Sequence, residues 1–156
     1  FEFFNLINLF YGIITNFCTM SECPVMNAGP AYEYTWTDSQ RRTVKLPAPQ
    51  YIDYELTQVQ NLLDDERVFP TKERSAFPRD FSIRIRIIYR KLFRVLAHIY
   101  WAHYEAMVNL RAEGHLNSLF AHFISFSKEF DLIDKKELAP MAELIAFYEQ
   151  QGIIPT

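Results

Sequence analysis

The two cysteines of this 156-residue chain stand as Cys18-Thr-Met-Ser-Glu-Cys23, and two of its four histidines repeat that spacing as His98-Ile-Tyr-Trp-Ala-His103. A thiol pair and an imidazole pair, each with four residues between its members, match a Cys₂His₂ metal pattern. Thiolates with imidazoles favour Zn²⁺ over Ca²⁺ or Mg²⁺. An ion held by Cys18, Cys23, His98 and His103 would tie an early loop to a distant helix, which restricts the folds open to the chain. Spacing alone leaves two other readings open: a local Cys18–Cys23 disulfide, which an intracellular setting disfavours, and buried free thiols. His115 and His122 read as ordinary core histidines. The histidine spacing also sets a geometric condition. Side chains five residues apart on a regular α-helix point about 140° apart, so a kink, a π-type bulge or a break is predicted between His98 and His103.

The rest of the chain reads as helices. An apolar stripe at Phe3, Leu6, Ile7, Phe10, Ile13, Ile14 and Phe17 predicts a helix over 1–17. Because the chain opens on Phe1 inside that stripe, it reads as a single domain, 1–156, trimmed at its N-terminus. Residues 18–50 hold Pro24, Gly29, Pro30, Pro47 and Pro49, a long breaker-rich connection that needs something to organise it. Within it, Tyr32–Trp36 and Thr43–Leu46 flank a polar turn and predict a small β-hairpin. Helices are predicted over 51–66, 81–113 and 116–130, with a loop over 67–80 carrying Pro70 and Pro78. Gly114 is the expected C-terminal cap of the long third helix. Asp134 begins a short helical turn, and a last helix starts near Pro140 and fades before Gly152. The fold class is therefore all-α with a small hairpin.

No stretch is apolar enough for a membrane span, since Glu2, Asn5, Asn8 and Asn16 interrupt the first helix. No basic start or cleavage pattern marks a signal peptide, so the chain reads as intracellular and cytoplasmic, with the cell cortex and nucleus open. A net charge of −3 argues against a dedicated nucleic-acid binder. Four filled metal positions leave no place for a catalytic water, and no nucleophile–base motif or phosphate-binding glycine loop occurs. The chain reads as a non-enzyme.

One local patch opposes the net charge. Six cations fall between Arg79 and Arg94, and Arg86, Arg90 and Arg94 share a helix face with Lys91 beside them. The row is either an anion site, in which arginine forks grip phosphate, or a solvated face paired with carboxylates such as Asp53, Glu55, Asp64 and Asp65.

Motifs along nearly the whole chain carry a resemblance. They include Phe17-Cys18-Thr19, Cys23-Pro24-Val25-Met26, Tyr32-Glu33-Tyr34-x-Trp36, Ala48-Pro49-Gln50-Tyr51-Ile52-Asp53, Val68-Phe69-Pro70-Thr71-Lys72, Leu92-Phe93-Arg94-Val95, Ala97-His98-Ile99-Tyr100, Gly114-His115-Leu116-Asn117 and Glu129-Phe130-Asp131-Leu132-Ile133-Asp134. With them the chain resembles the Mob family, coactivators of NDR/LATS-type kinases. The resemblance implies a fold around a four-helix bundle core with one structural Zn²⁺ on Cys18, Cys23, His98 and His103. It implies a non-catalytic partner of the helical N-terminal region of an NDR/LATS-family kinase, with Glu2 and His122 at kinase-facing positions. It also places Arg90, Lys91 and Arg94 where some members bind a phosphorylated peptide of an upstream kinase, which favours the anion reading of the row. Met26-Asn27-Ala28-Gly29-Pro30 and His98-Ile-Tyr-Trp-Ala-His103 are similar to the branch that pairs with NDR/Cbk-type kinases, while the full basic triad is similar to the other branch.

Overall fold

The computed structural model describes residues 1–65, 67–69 and 80–156. The predicted 67–80 loop, with Pro70, Pro78 and Arg79, lies largely outside the described residues. Four helices form the core: α1 (Glu2–Ile14), α2 (Ala48–Asp64), α3 (Phe81–Asn109) and α4 (Glu113–Glu129). A 3-10 turn at Ala139–Met141 leads into a short α5 (Ala142–Gln150), which packs on α4. The chain is thus mostly helical, as the periodicity predicts. Among the described residues no helix is long and apolar enough to cross a membrane.

The 29-residue α3 is the axis. It packs against α1, α2 and α4. Apart from Arg94, every residue from Leu92 to Ile99 is buried, as expected of a helix with neighbours on most sides. Ile7 and Ile14 of α1, Ile52 and Val59 of α2, and Phe120 and Phe123 of α4 close around it without measurable exposure.

Several helix boundaries differ from the sequence reading, and three of the differences have a clear local reason. α1 stops at Ile14, three residues early. The Phe17 and Cys18 amides both bond to the Ile14 carbonyl, at 2.9 and 3.0 Å, closing a turn that leaves Phe17 48% exposed and buries Cys18. α2 starts at Ala48, three residues early, because Pro49 falls in the first turn, where a missing N–H costs nothing. α3 ends at Asn109, so Gly114 is not its cap but a residue in the first turn of α4. Arg111, at φ 57°, takes the left-handed position instead. The Ala112 amide bonds the Met107 carbonyl at 2.8 Å and the Arg111 amide the Val108 carbonyl at 3.0 Å, which is the paired pattern of a Schellman end.

The hairpin is shorter than predicted. β1 (Trp36–Thr37) and β2 (Thr43–Val44) pair antiparallel, Trp36 opposite Val44. Asp38 builds the turn by accepting from the Gln40 and Arg42 amides at 2.9 and 2.8 Å. The Tyr32–Tyr34 stretch pairs elsewhere, through a bridge between Asn27 and Glu33. That bridge brings Asn27 to the site described next.

Candidate functional site

Cys18 and Cys23 lie on a turn whose amides are already committed. The Cys18 amide bonds Ile14, the Cys23 amide bonds Thr19 at 2.8 Å, and the Cys23 carbonyl accepts from Ala48 at 3.0 Å, anchoring the turn to the start of α2. The two thiols therefore face α3 from a fixed frame. Cys18 Sγ lies 3.7 Å from His98 Nε2, and Cys23 Sγ lies 3.5 Å from His103 Nε2. The four donor atoms all sit within 4.8 Å of one another, and all four residues are buried.

Several observations bear on whether this cluster fits a metal ion. Tetrahedral bonds of about 2.0 Å to nitrogen and about 2.3 Å to sulfur subtend a nitrogen–sulfur edge of about 3.5 Å, close to the two spacings found. His98 Nδ1 lies 2.7 Å from the Asn27 carbonyl oxygen. A carbonyl can only accept, so Nδ1 carries the proton and Nε2 presents its lone pair to the cluster. A backbone carbonyl orienting a ligating imidazole in this way is the usual outer support of a metal site. Burial pushes the Cys18 thiol up to about 12, helped by the neighbouring Cys23, and pushes Cys23 up as well. Burial first, then His98 beside it, pulls the His103 imidazole down to about 4; burial also lowers His98. The imidazoles are thus held neutral, as ligands must be. A dication would reverse the preference of the thiols, because thiolate is the binding form. The donor set fits a metal ion.

The predicted interruption between His98 and His103 is absent. α3 runs as unbroken α-helix through both residues. The rings nevertheless converge, with centroids 5.2 Å apart. Each ring meets the cysteines with Nε2, the nitrogen farther from the backbone. Reach at the ring tip closes the angle that the Cβ directions leave open, and the cysteine turn needs to meet only the near edges of both rings.

The basic row lies toward the N-terminal end of the same helix, and the structure gives its members different fates. Arg84 pairs with Asp80 at 2.7 Å and Arg86 with the exposed Asp131 at 3.5 Å. Lys91 sinks against Glu55 at 3.4 Å and lies over the Trp36 ring at 5.2 Å. Of the four carboxylates expected from the sequence, Glu55 alone forms an ion pair with the row among the described residues, while Asp65 lies in electrostatic range of Arg84. Arg94 donates to Glu137 Oε1 at 3.0 Å and to the Tyr51 hydroxyl at 2.8 Å, with its guanidinium 4.6 Å from the centre of the Tyr34 ring. Its Nε is buried with no hydrogen-bond partner among the described residues. Arg90 is exposed, and no carboxylate among the described residues comes within ion-pair distance of it. A small groove of about 260 Å³ runs past Arg86 and Arg90 to Glu137.

Glu2 opens α1 and is exposed. His122 is exposed on α4, its ring edge-on to Phe3 at 5.0 Å. Glu2 stands one helical turn before Leu6 on α1, and Phe3 next to it meets the His122 ring. Beside them an open groove of about 480 Å³ runs between α1 and α4, walled by Leu6, Leu9, Phe10 and Ile13 on one side and Ala112, His115, Leu119 and His122 on the other. His115 and His122 are exposed, not core histidines as the sequence suggests. Three participants escape the sequence reading altogether. Asn27 acts through its backbone, which no side-chain pattern reports. Tyr51 and Glu137 pair with Arg94 from elements far along the chain, and neither sits in a spacing that marks it.

Comparison with known proteins agrees with the geometry. Residues 1–141 match the Mob1/phocein family. The chain is 48% identical over 154 residues to the maintenance of ploidy protein mob2 of Schizosaccharomyces pombe, covering 99% of this chain and 63% of that protein. It is 51% identical over 146 residues to the MOB kinase activator-like 1 homolog A of Dictyostelium discoideum, covering 92% and 68%. It is 48% identical over 154 residues to the CBK1 kinase activator protein MOB2 of Saccharomyces cerevisiae, covering 99% and 54%. The chain thus spans roughly half to two thirds of the length of these relatives. With four core helices, a paired cysteine–histidine cluster and a family match over residues 1–141, the chain belongs to the Mob1/phocein family.

Proposed function

We propose that this chain is a non-catalytic kinase coactivator that receives the helical N-terminal region of an NDR/LATS-family kinase in the α1–α4 groove. The observation that supports it is the groove itself. Leu9 and Ile13 stand at helical spacing on α1 at 60% and 39% exposure, with Leu6 half-buried beside them, so this stripe is offered in part to something other than the core. An apolar trough between two helices suits an amphipathic helix. Glu2, one turn before Leu6, suits a basic residue on that helix, and His122 lines the α4 wall of the groove. Relatives named as kinase activators, among them two named for CBK1, support a kinase as the partner and fit the branch that pairs with NDR/Cbk-type kinases. In this reading Cys18, Cys23, His98 and His103 hold one structural Zn²⁺ that fixes the loop framing α3; such an ion supplies folding energy and no chemistry. The test is titration of the protein with NDR- and LATS-type N-terminal peptides. Leu9→Glu, at an exposed position, is expected to lose at least about tenfold in affinity. Unchanged binding would remove the groove from the interface.

A second reading is favoured by its own observation: Arg90 is exposed and meets no carboxylate among the described residues. Here Arg90, Lys91 and Arg94 bind a phosphorylated peptide. Arg94→Ala is expected to weaken such binding by roughly 1–3 kcal/mol, and equal affinity would refute the site.

A further inference from the structure

Glu137 is the carboxylate partner of Arg94. It lies on the turn before α5 and borders two grooves at once, one lined by Arg86 and Arg90 and the other by Tyr34, Arg94 and Lys136. Its carboxylate holds the Arg94 guanidinium at 3.0 Å, and both side chains are only about a fifth exposed, 23% and 22%. The guanidinium is packed on Tyr34 and tied to Tyr51, so it cannot turn away to meet a ligand. An incoming anion must take the carboxylate's place. We infer that Glu137 is a built-in competitor for the anion site, and that it sets the site's preference for doubly charged phosphate over a single carboxylate. The inference rests on the phosphopeptide reading and adds to it a residue and a selectivity.

The charges carry the argument. Exchanging Glu137 for a peptide glutamate replaces one carboxylate by another and gains nothing at Arg94. A phosphate brings close to two negative charges and three acceptor oxygens. It can satisfy Arg94, engage Arg90, which meets no carboxylate among the described residues, one turn away, and use Lys136 at the rim. Lys91, held beneath the surface by Glu55, adds its charge to the site beside Arg90 and Arg94. A ligand of higher charge can therefore displace the internal carboxylate, and a phosphomimetic cannot.

The sign of one substitution separates this role from a structural one. If Glu137 only braced its turn against α3, Glu137→Gln would loosen the site and lower affinity. If it competes, the same change raises affinity. The experiment uses two peptide pools, one with fixed phosphothreonine and one with glutamate fixed there, read by fluorescence polarisation against wild type, Glu137→Gln, Glu137→Asp and Arg90→Ala. Thermal melts of each variant confirm folding. The expected result is that wild type binds only the phosphothreonine pool. Glu137→Gln should bind it about tenfold more tightly and also bind the glutamate pool. Glu137→Asp, which keeps the charge on a shorter arm, should fall between. Equal affinity of wild type and Glu137→Gln, with binding lost in Arg90→Ala, would overturn the competitor and leave the anion site standing. No binding by any folded protein, or binding indifferent to Arg90→Ala, would overturn the anion site and the competitor together.

Discussion

Among the described residues Glu55 is the one buried carboxylate, 2% exposed, and its single cation is Lys91 at 14%. The two are not equally dependent on each other. Lys91 keeps the Trp36 ring as a second neighbour and has a long stem that can reach water. Glu55 is shorter and fully enclosed, and among the described residues its one further polar neighbour is the Tyr51 hydroxyl, which also accepts from Arg94. Removing one member of a buried pair costs roughly 3–5 kcal/mol because the other charge is stranded. Lys91→Met should therefore approach that loss, and Glu55→Gln should cost clearly less. Glu55→Leu combined with Lys91→Met should recover most of the stability, since an apolar pair of similar volume needs no compensation. Denaturant melts of the three proteins check the order; a costlier Glu55→Gln would show that Lys91 is the stranded partner. The sequence placed Glu55 among four candidate partners but could not choose it. The choice depends on which face α2 turns toward α3, and that is set by packing rather than by charge spacing.

At the scale of the helix, the ends were harder to read than the middles. Apolar stripes located α1 to α4 because burial imposes the 3.6-residue period directly. Ends depend on single backbone conformations. Three described helices close with a left-handed residue, Arg111 at 57°, Asp131 at 51° and Gly152 at 74°, and only the last is the glycine that sequence patterns expect. The misplaced cap at Gly114 follows from that. The same local blindness explains the histidines. Angular spacing forbade a shared ion on a straight helix, and the reach of the imidazole tips allowed the convergence. Arg111 also yields a test. It is exposed, and no hydrogen bond or ion pair engages its side chain among the described residues. Its positive φ carries a cost that glycine avoids, partly offset by glycine's freedom in the unfolded chain. Arg111→Gly is expected to stabilise by up to about 1 kcal/mol, seen as a raised melting temperature. A drop would mean that the side chain does something the fold does not display.

For the whole molecule, the question is what the cysteine–histidine cluster adds to a bundle that already has a core. Ile7, Ile14, Phe93, Leu96, Phe120 and Phe123 are buried along α1, α3 and α4, so the helices should survive loss of a bound ion. The 18–47 segment has less to hold it. Two β-pairs of two residues and a single bridge are its regular structure, and the Cys23 carbonyl to Ala48 bond is its anchor at α2. An ion across Cys23 and His98 closes a loop of about 75 residues, and cross-links of that size are worth roughly 4 kcal/mol in the chain-entropy account. For a domain of this length that corresponds to a melting shift on the order of 10 °C. A strong chelator should therefore lower the melting temperature by about that amount while leaving the helical circular dichroism at room temperature nearly unchanged. Amide exchange should speed up in 18–47 and hardly at all in α4. Global loss of helix on chelation would instead make the ion part of the core, as in small zinc domains that are unfolded without metal. No change at all would mean that the four side chains pack adequately as neutral, metal-free neighbours. The sequence made the cluster visible because two ligand pairs at matched spacing are rare. It could not rank clasp against core, because that depends on how much apolar surface the bundle buries without it.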